Sequence, residues 1–199
     1  MALRTSAFSL LLTALVIASA AQAAASDFTL DFGGLQDHEE VLSYYDGGFG
    51  SLGSGPGPDF NLTFTSSFLA IEATPPYGPP RVGLLDGPTA TMNSSDGFSG
   101  FFSFYYEATD NSGLVTLWSG LDGTGTLLLS LPLTEADTWT PAGDPFDGIA
   151  MSVVFTGTPD ALRFDQITDR GGVIPEPSTI LLMGTGLASL ATLLRRRIP

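Results

Sequence analysis

The chain has 199 residues, with 21 acidic side chains against seven arginines, no lysine and no cysteine. A formal net charge of −14 argues against nucleic acid and anionic lipid as partners, and the absence of cysteine rules out a disulfide framework and thiolate chemistry. A Phe-rich aromatic content with 24 Gly and 14 Pro points to short strands and tight turns rather than helices.

The N-terminus reads as an export signal. Arg4 supplies a positive start, Leu10 to Ala18 an apolar stretch, and Ala21-Gln22-Ala23 an A-x-A pattern. Cleavage after Ala23 is the first choice and after Ala25 the second, so residues 1–23 are excluded from fold reasoning. Ser26 to Gly172 then forms one domain of a size that supports a core. It holds 20 acidic side chains and three arginines, a formal charge of −17.

Phe28 to Phe32 alternates apolar and polar, the period of a strand with one buried face. Leu35 to Tyr45 is either one helical turn or an ordered loop, and Gly47 to Pro58 is a Gly/Ser/Pro loop. Strands are expected at Phe60–Thr65, Phe68–Glu72 and Arg81–Leu85. Four prolines between Thr74 and Pro80 bar a central strand there. Asp86-Gly87-Pro88 turns the chain, and Ala90 to Met92 starts another strand. Phe98 to Glu107 is the strongest strand, with Phe102, Phe104 and Tyr106 on one face and Phe101, Ser103 and Tyr105 on the other. Leu114–Trp118 and Thr126–Leu131 read as a hairpin around Asp122-Gly123. Thr134 to Asp147, polar with two prolines and carrying Trp139, reads as a loop. Ile149–Phe155 and Ala161–Ile167 complete about nine strands. The expected fold is all-β, an antiparallel β-sandwich of jelly-roll type.

The last 25 residues are the most specific part of the chain. Pro175-Glu176-Pro177 precedes an uncharged apolar run from Ser178 to Leu194, and Arg195, Arg196 and Arg197 follow it. The prolines stop regular structure before the run. As a transmembrane helix the run is about 25 Å long, with the arginines held on the cytoplasmic side. These three parts in this order resemble the PEP-CTERM sorting signal of exopolysaccharide-producing Gram-negative bacteria. The resemblance implies processing near the motif by exosortase, a membrane-embedded enzyme; the other reading is a plain C-terminal anchor. Phe32 to Gly50, the Gly53–Gly57 loop, Phe102 to Tyr106 and Leu162 to Ile167 also resemble a recurrent PEP-CTERM ectodomain. Such domains are similar to the jelly rolls of carbohydrate-binding modules.

That second resemblance implies a structural calcium between the first and last strands. Asp31 and Asp165 are the candidate ligands, with Asp46 or Glu40 as additions and backbone carbonyls completing the shell. The sole histidine, His38, stands among Asp37, Glu39 and Glu40 with no Gly-x-Ser-x-Gly elbow to complete a triad, so an exposed loop histidine is expected. With 20 acids a glycosidase pair is always to be found, so none is assigned and no enzyme is expected. For sugar stacking, Tyr77 and Trp139 are the candidates, because both fall in Pro-containing segments; Tyr44, Tyr45, Tyr105 and Trp118 are the less exposed alternatives. The expected function is an exosortase-processed surface or matrix protein of the extracellular polysaccharide or biofilm layer. A carbohydrate-binding module is the alternative, and a hydrolase comes last.

Overall fold

The computed structural model describes residues 27–171, which fall within one compact unit. The expected signal peptide and transmembrane helix lie outside the described residues. No helix among the described residues is long and apolar enough to cross a membrane. Ten strands and one 3-10 turn follow in order: β1 (Phe28–Leu30), β2 (Glu39–Glu40), β3 (Leu62–Phe64), β4 (Phe68–Glu72), β5 (Arg81–Leu85), β6 (Thr89–Ala108), β7 (Leu114–Trp118), the turn Leu121–Gly123, β8 (Leu127–Pro132), β9 (Ala136–Thr156) and β10 (Leu162–Gly171). All pairings are antiparallel.

The long strands β6 and β9 run side by side and belong to two layers. The end of β6, from Phe98 on, pairs with the start of β9 on one side and with β10 on the other. The far edge of β10 is shared, with β5 on Arg163–Phe164 and β1 on Ile167–Asp169. Beyond β5 lie β4 and then β2. The start of β6 pairs instead with β3 and with Ser152–Thr156 of β9, which passes the ladder on to β7 and β8.

The change of layer is made by two offsetting bulges. Between Asn93 and Phe98, β6 carries extra residues against Ser152 and Ala150 of β9. Between Phe98 and Gly100 the excess passes to β9, across Phe146 to Ala150. Gly97 (φ 74°) and Gly148 (φ 100°) occupy the left-handed positions that this bend needs. Bulges bend a strand sharply, so one strand feeds two sheets without a loop.

The two layers close on an aromatic core. Phe68 of β4 lies 5.0 Å, centroid to centroid, from Phe155 in the opposite layer, and Phe155 lies 4.9 Å from Phe164 of β10. Phe32, Phe68, Phe98, Phe102, Phe104, Phe155 and Phe164 are all fully buried in one continuous cluster. This is an antiparallel β-sandwich, consistent with the jelly-roll expectation.

Two readings of the sequence are corrected. Thr134 to Asp147 is not a loop, because Ala136 onward is the first half of β9. Its prolines hid it. Pro141 and Pro145 pair with Tyr105 and Phe101, four residues apart, so both turn their missing N–H toward the same unpaired side of an edge strand, where no ladder bond is lost. Ala90–Met92 and Phe98–Glu107 are one strand, since the Ser94–Gly97 break is the bulge. Of the two alternatives for Leu35–Tyr45, the ordered loop is the one found, with turns around the two-residue β2.

Candidate functional site

The pairing of β1 with β10 brings the two candidate metal ligands together. Leu30 stands opposite Ile167, so Asp31, just past the end of β1, comes alongside the Asp165–Gln166 segment. Asp165 is fully buried, and neither carboxylate oxygen has a hydrogen-bond partner. Burial pushes its acidity up to about 7; the nearby Gln166 amide opposes the shift, and the negative charge of Asp31 adds to it. Asp31 is exposed, and its Oδ1 accepts the Gly33 N–H at 3.1 Å. Each acid is followed by a left-handed residue, Phe32 at φ 57° and Gln166 at φ 48°.

An orphaned, buried carboxylate with a second carboxylate beside it fits a hard cation, which supplies the missing positive charge. The fit is to two acids only. Among the described residues no three His, Cys, Asp or Glu side chains converge on one point. Asp46 and Glu40 therefore do not join the pair as a converging acidic site. Asp46 forms an isolated bridge with Asp59, and Glu40 pairs with Leu69. The rest of a calcium shell would come from carbonyls and water. Tyr45, buried below, accepts the Phe32 N–H at 2.9 Å through its hydroxyl; burial, with Asp31, Tyr44 and Asp165 adding, keeps that hydroxyl protonated.

The aromatic candidates occupy the outer face of the first layer. Trp139 is on β9 and half-buried, not in a loop. It is two residues from Pro141, the partner of Tyr105, so Trp139 and Tyr105 share a face. The Trp139 Nε1–H donates to the Thr74 carbonyl at 2.8 Å, and its ring packs on a small outer cluster of Leu69, Ile71, Val82 and Leu84. Tyr77 is 60% exposed and meets Tyr105 edge-on at 5.4 Å. The Pro-rich segment between β4 and β5, which carries Tyr77, thus folds back over this face and contacts Trp139 and Tyr105. Tyr45 is core, and Trp118 is half-buried with its Nε1–H on the Thr116 hydroxyl at 2.9 Å. Near Trp139 an open cleft of ≈ 260 Å³ is lined by Glu107, Asp137, Asp160 and Arg163 among others, with Arg163 Nη1 3.5 Å from Glu107 Oε2.

His38 lies on the surface. Its Nδ1 is 2.9 Å from Asp37 Oδ2, and both side chains are well exposed. Asp37 is engaged from its other oxygen by the Glu72 N–H at 2.6 Å. Among the described residues no serine is hydrogen-bonded to His38 to complete a triad with Asp37.

Two buried acids escaped the reading of the sequence. Glu39 is fully buried and gathers three backbone N–H groups, from Gln36 at 2.7 Å, Leu52 at 2.9 Å and Ser54 at 3.0 Å. Asp169 is fully buried on β10. Nothing local separates them from solvated neighbours, since Glu39 sits in a run of charges and Asp169 precedes Arg170.

Pro175, Glu176, Pro177, Arg195, Arg196 and Arg197 lie outside the described residues, and for them the comparison of sequences decides. Residues 173–197 match the PEP-CTERM protein-sorting motif. This is a PEP-CTERM signal. The PEP-CTERM signal implies export, C-terminal anchoring and processing by exosortase as a surface protein. No curated protein matches the chain significantly. Among solved structures, the chain is similar to a family 43 arabinoxylan arabinofuranohydrolase from Bacillus subtilis in complex with cellotetraose, at 21% identity and TM-score 0.41 over 54% of this chain and 26% of that one. It is also similar to the carbohydrate-binding module CBM6cm-2 from Cellvibrio mixtus lichenase 5A in complex with cellotriose, at 11% identity and TM-score 0.38 over 54% of this chain and 89% of that one. A variant of the family 29 module CBM29-2 gives 13% identity and TM-score 0.38 over 58% of this chain and 99% of that one. The chain spans only about a quarter of the arabinofuranohydrolase.

Proposed function

We propose that this is a non-enzymatic surface or matrix protein, anchored transiently by its C-terminus and then cut free by exosortase, with a structural or interaction role in the extracellular polysaccharide layer of a biofilm. The sorting motif at residues 173–197 carries the reading. On this reading residues 1–23 are the signal peptide, 26–172 the ectodomain and 175–199 the sorting signal with its transmembrane helix. Cleavage near Pro175 removes the three clustered arginines and leaves a domain of charge −17. Mass spectrometry of the mature protein from its native host is expected to find no peptide containing Arg195, Arg196 and Arg197. Recovery of those arginines on the extracellular protein would favour a plain anchor.

A carbohydrate-binding role is the second reading, favoured by one observation: Tyr77 meets Tyr105 on the face that also carries Trp139, beside a cleft holding both an arginine and carboxylates. Flat aromatic rings stack on sugars, and the ion pair offers donors and acceptors for hydroxyls. A glycan array distinguishes the two readings. Saturable binding to one polysaccharide, lost in Tyr77→Ala, supports this reading, and no binding to any glycan leaves the structural role.

The ectodomain carries calcium between Asp31 and Asp165 on either reading. Support comes from the burial of Asp165 without a partner. A ligand bound only to the native state raises the melting temperature. Adding EGTA is expected to lower it, by several degrees at the millimolar calcium of an extracellular medium, and the drop should be smaller in Asp165→Asn. An unchanged melting temperature in EGTA would remove calcium from the account.

A further inference from the structure

An edge strand leaves a row of backbone N–H and C=O groups unpaired, so sheet edges are where an antiparallel fold can take up another chain. Most edges of this domain are closed. Along β2 the Ser51 N–H donates to the Glu40 carbonyl at 3.1 Å, and the Ser51 hydroxyl accepts the Glu40 N–H at 2.9 Å. Along β3 the carbonyls of Leu42 and Tyr45 accept the N–H groups of Phe64 at 2.7 Å and Leu62 at 3.2 Å. The free side of β9 carries Pro141 and Pro145, with Asp137 and Asp144 in the same stretch. The three-residue β1 is bracketed by Asp27 and Asp31.

Among the described residues no strand covers β8. It ends the sheet, paired with β7 on one side only. It has no charge and no proline before its last residue. Charge is scarce well beyond the strand, since from Asn111 to Thr134 the one charged side chain is Asp122. Asp122 lies between β7 and β8, with its Oδ1 held by the Asn93 amide at 2.7 Å. In a domain of formal charge −17, this hairpin is where two copies approach with the least repulsion.

The register identifies the free groups. The Leu133 N–H donates to the Gly113 carbonyl at 2.8 Å, and the alternation of an antiparallel ladder then turns the N–H and C=O of Leu131 and Leu129 toward β7. The N–H and C=O of Ser130 point the other way, past the edge. So does the carbonyl of Pro132, whose missing N–H costs the β7 ladder nothing. Leu129 and Leu131 stand opposite Leu117 and Val115, which are fully buried, and therefore belong to the core face. Both nevertheless stay half-buried, because no further strand flanks them. We propose that β8 is a self-association edge, at which two copies pair β8 against β8, antiparallel, about a two-fold axis at Ser130. The same strand then serves both sides, as a two-fold contact requires. Ser130 of each copy exchanges N–H···O bonds with Ser130 of the other, and Leu129 of each comes opposite Leu131 of the other. The second copy supplies the uncharged, extended segment that this edge takes and covers the leucines that the single domain leaves half-buried. The pairing does not depend on the assigned function or on calcium.

The chain has no cysteine, so Ser130→Cys places a single thiol at the proposed axis. Opposite Cα atoms of a hydrogen-bonded antiparallel pair lie about 5.5 Å apart, within disulfide reach. The experiment is mild oxidation of the full chain in detergent. Ser130→Cys is expected to form a linked dimer about tenfold faster than Thr138→Cys, an exposed position on the protected strand β9. In sedimentation velocity the wild-type dimer should grow with protein concentration and with added NaCl, because salt screens the repulsion between acidic domains. Ser130→Pro removes only an outward N–H, and Ser130→Asp sets like charges face to face; both should sediment as monomers with a melting temperature close to that of the wild type. Ser130 is exposed, so Ser130→Asp keeps the test valid where Ser130→Pro perturbs the strand. Equal cross-linking rates at the two positions would overturn the proposal. A wild type that stays monomeric at every concentration would overturn it too and leave the edge to a different chain. A dimer that persists in both Ser130→Pro and Ser130→Asp would refute it by placing the contact elsewhere.

Discussion

Replacing Phe68 by alanine is expected to destabilise the ectodomain by about 3–5 kcal/mol, a large share of the roughly 5–15 kcal/mol that holds a domain folded. Phe68 is fully buried and touches aromatics from both layers. Its ring lies 5.0 Å from Phe64, 5.0 Å from Phe155, 5.8 Å from Phe32 and 5.9 Å from Phe164. Truncation removes the transfer energy of the ring and leaves a cavity that four neighbours must close. Gly83 makes closure harder. A Cβ there would collide with the Phe68 ring, so the glycine lets that ring pack directly against the β5 backbone. The measurement is urea unfolding. The midpoint should fall with the slope unchanged, because the surface exposed on unfolding stays nearly the same. Phe68→Leu, which keeps most of the volume, should cost less than half as much. A loss below about 1 kcal/mol in Phe68→Ala would mean that the layers do not meet at this ring.

Glu39→Ala is expected to cost about 2–4 kcal/mol, from three hydrogen bonds to a charged acceptor, discounted because their N–H groups are partly accessible to water. Burial works against the Glu39 charge, but the N–H groups of Gln36, Ser54 and Leu52 outweigh it and hold the carboxyl below its usual range. The sign of the pH dependence follows. A carboxyl with a lowered folded pKa contributes stability that is complete above its unfolded value of 4.5 and is lost as pH falls through the folded one. The wild type should therefore lose stability on acidification below about pH 4.5 more steeply than Glu39→Ala, in which this part of the dependence is absent. The effect is also local. Gly50 lies against the carboxylate, where a Cβ would sit 2.5 Å from Oε1, and the Leu52 and Ser54 amides are held by the same oxygen. Hydrogen exchange at Leu52 and Ser54 should quicken in the variant before exchange in β6 does. Equal exchange at those two amides would show that the loop is held by something else.

Much of the domain was legible in the residue pattern. Phe68–Glu72, Arg81–Leu85 and Leu114–Trp118 were read to the residue, because each is a short β-branched or aromatic run closed by a turn. The resemblance to carbohydrate-binding modules singled out Asp31 and Asp165, and the register of β1 on β10 places the two acids side by side. The first half of β9 was not legible, because prolines and acids that mark a loop also suit a free edge. For the same reason Trp139 was assigned to a loop, when its ring lies against residues of β4 and β5.

The sequence by itself determined the address of the protein, since a sorting signal is a linear order of proline, apolar run and arginines that needs no fold to be read. It also determined the all-β class, because alternation of period two is local. Only the tertiary structure decided which acids matter. Among 20 acidic side chains in the ectodomain, Glu39, Asp165 and Asp169 alone are fully buried. Their burial depends on partners far away in the chain, such as Phe28 beside Asp169 and Tyr105 beside Asp165. A carboxylate's solvation is a property of what surrounds it in space, and no pattern of neighbours along the chain records it.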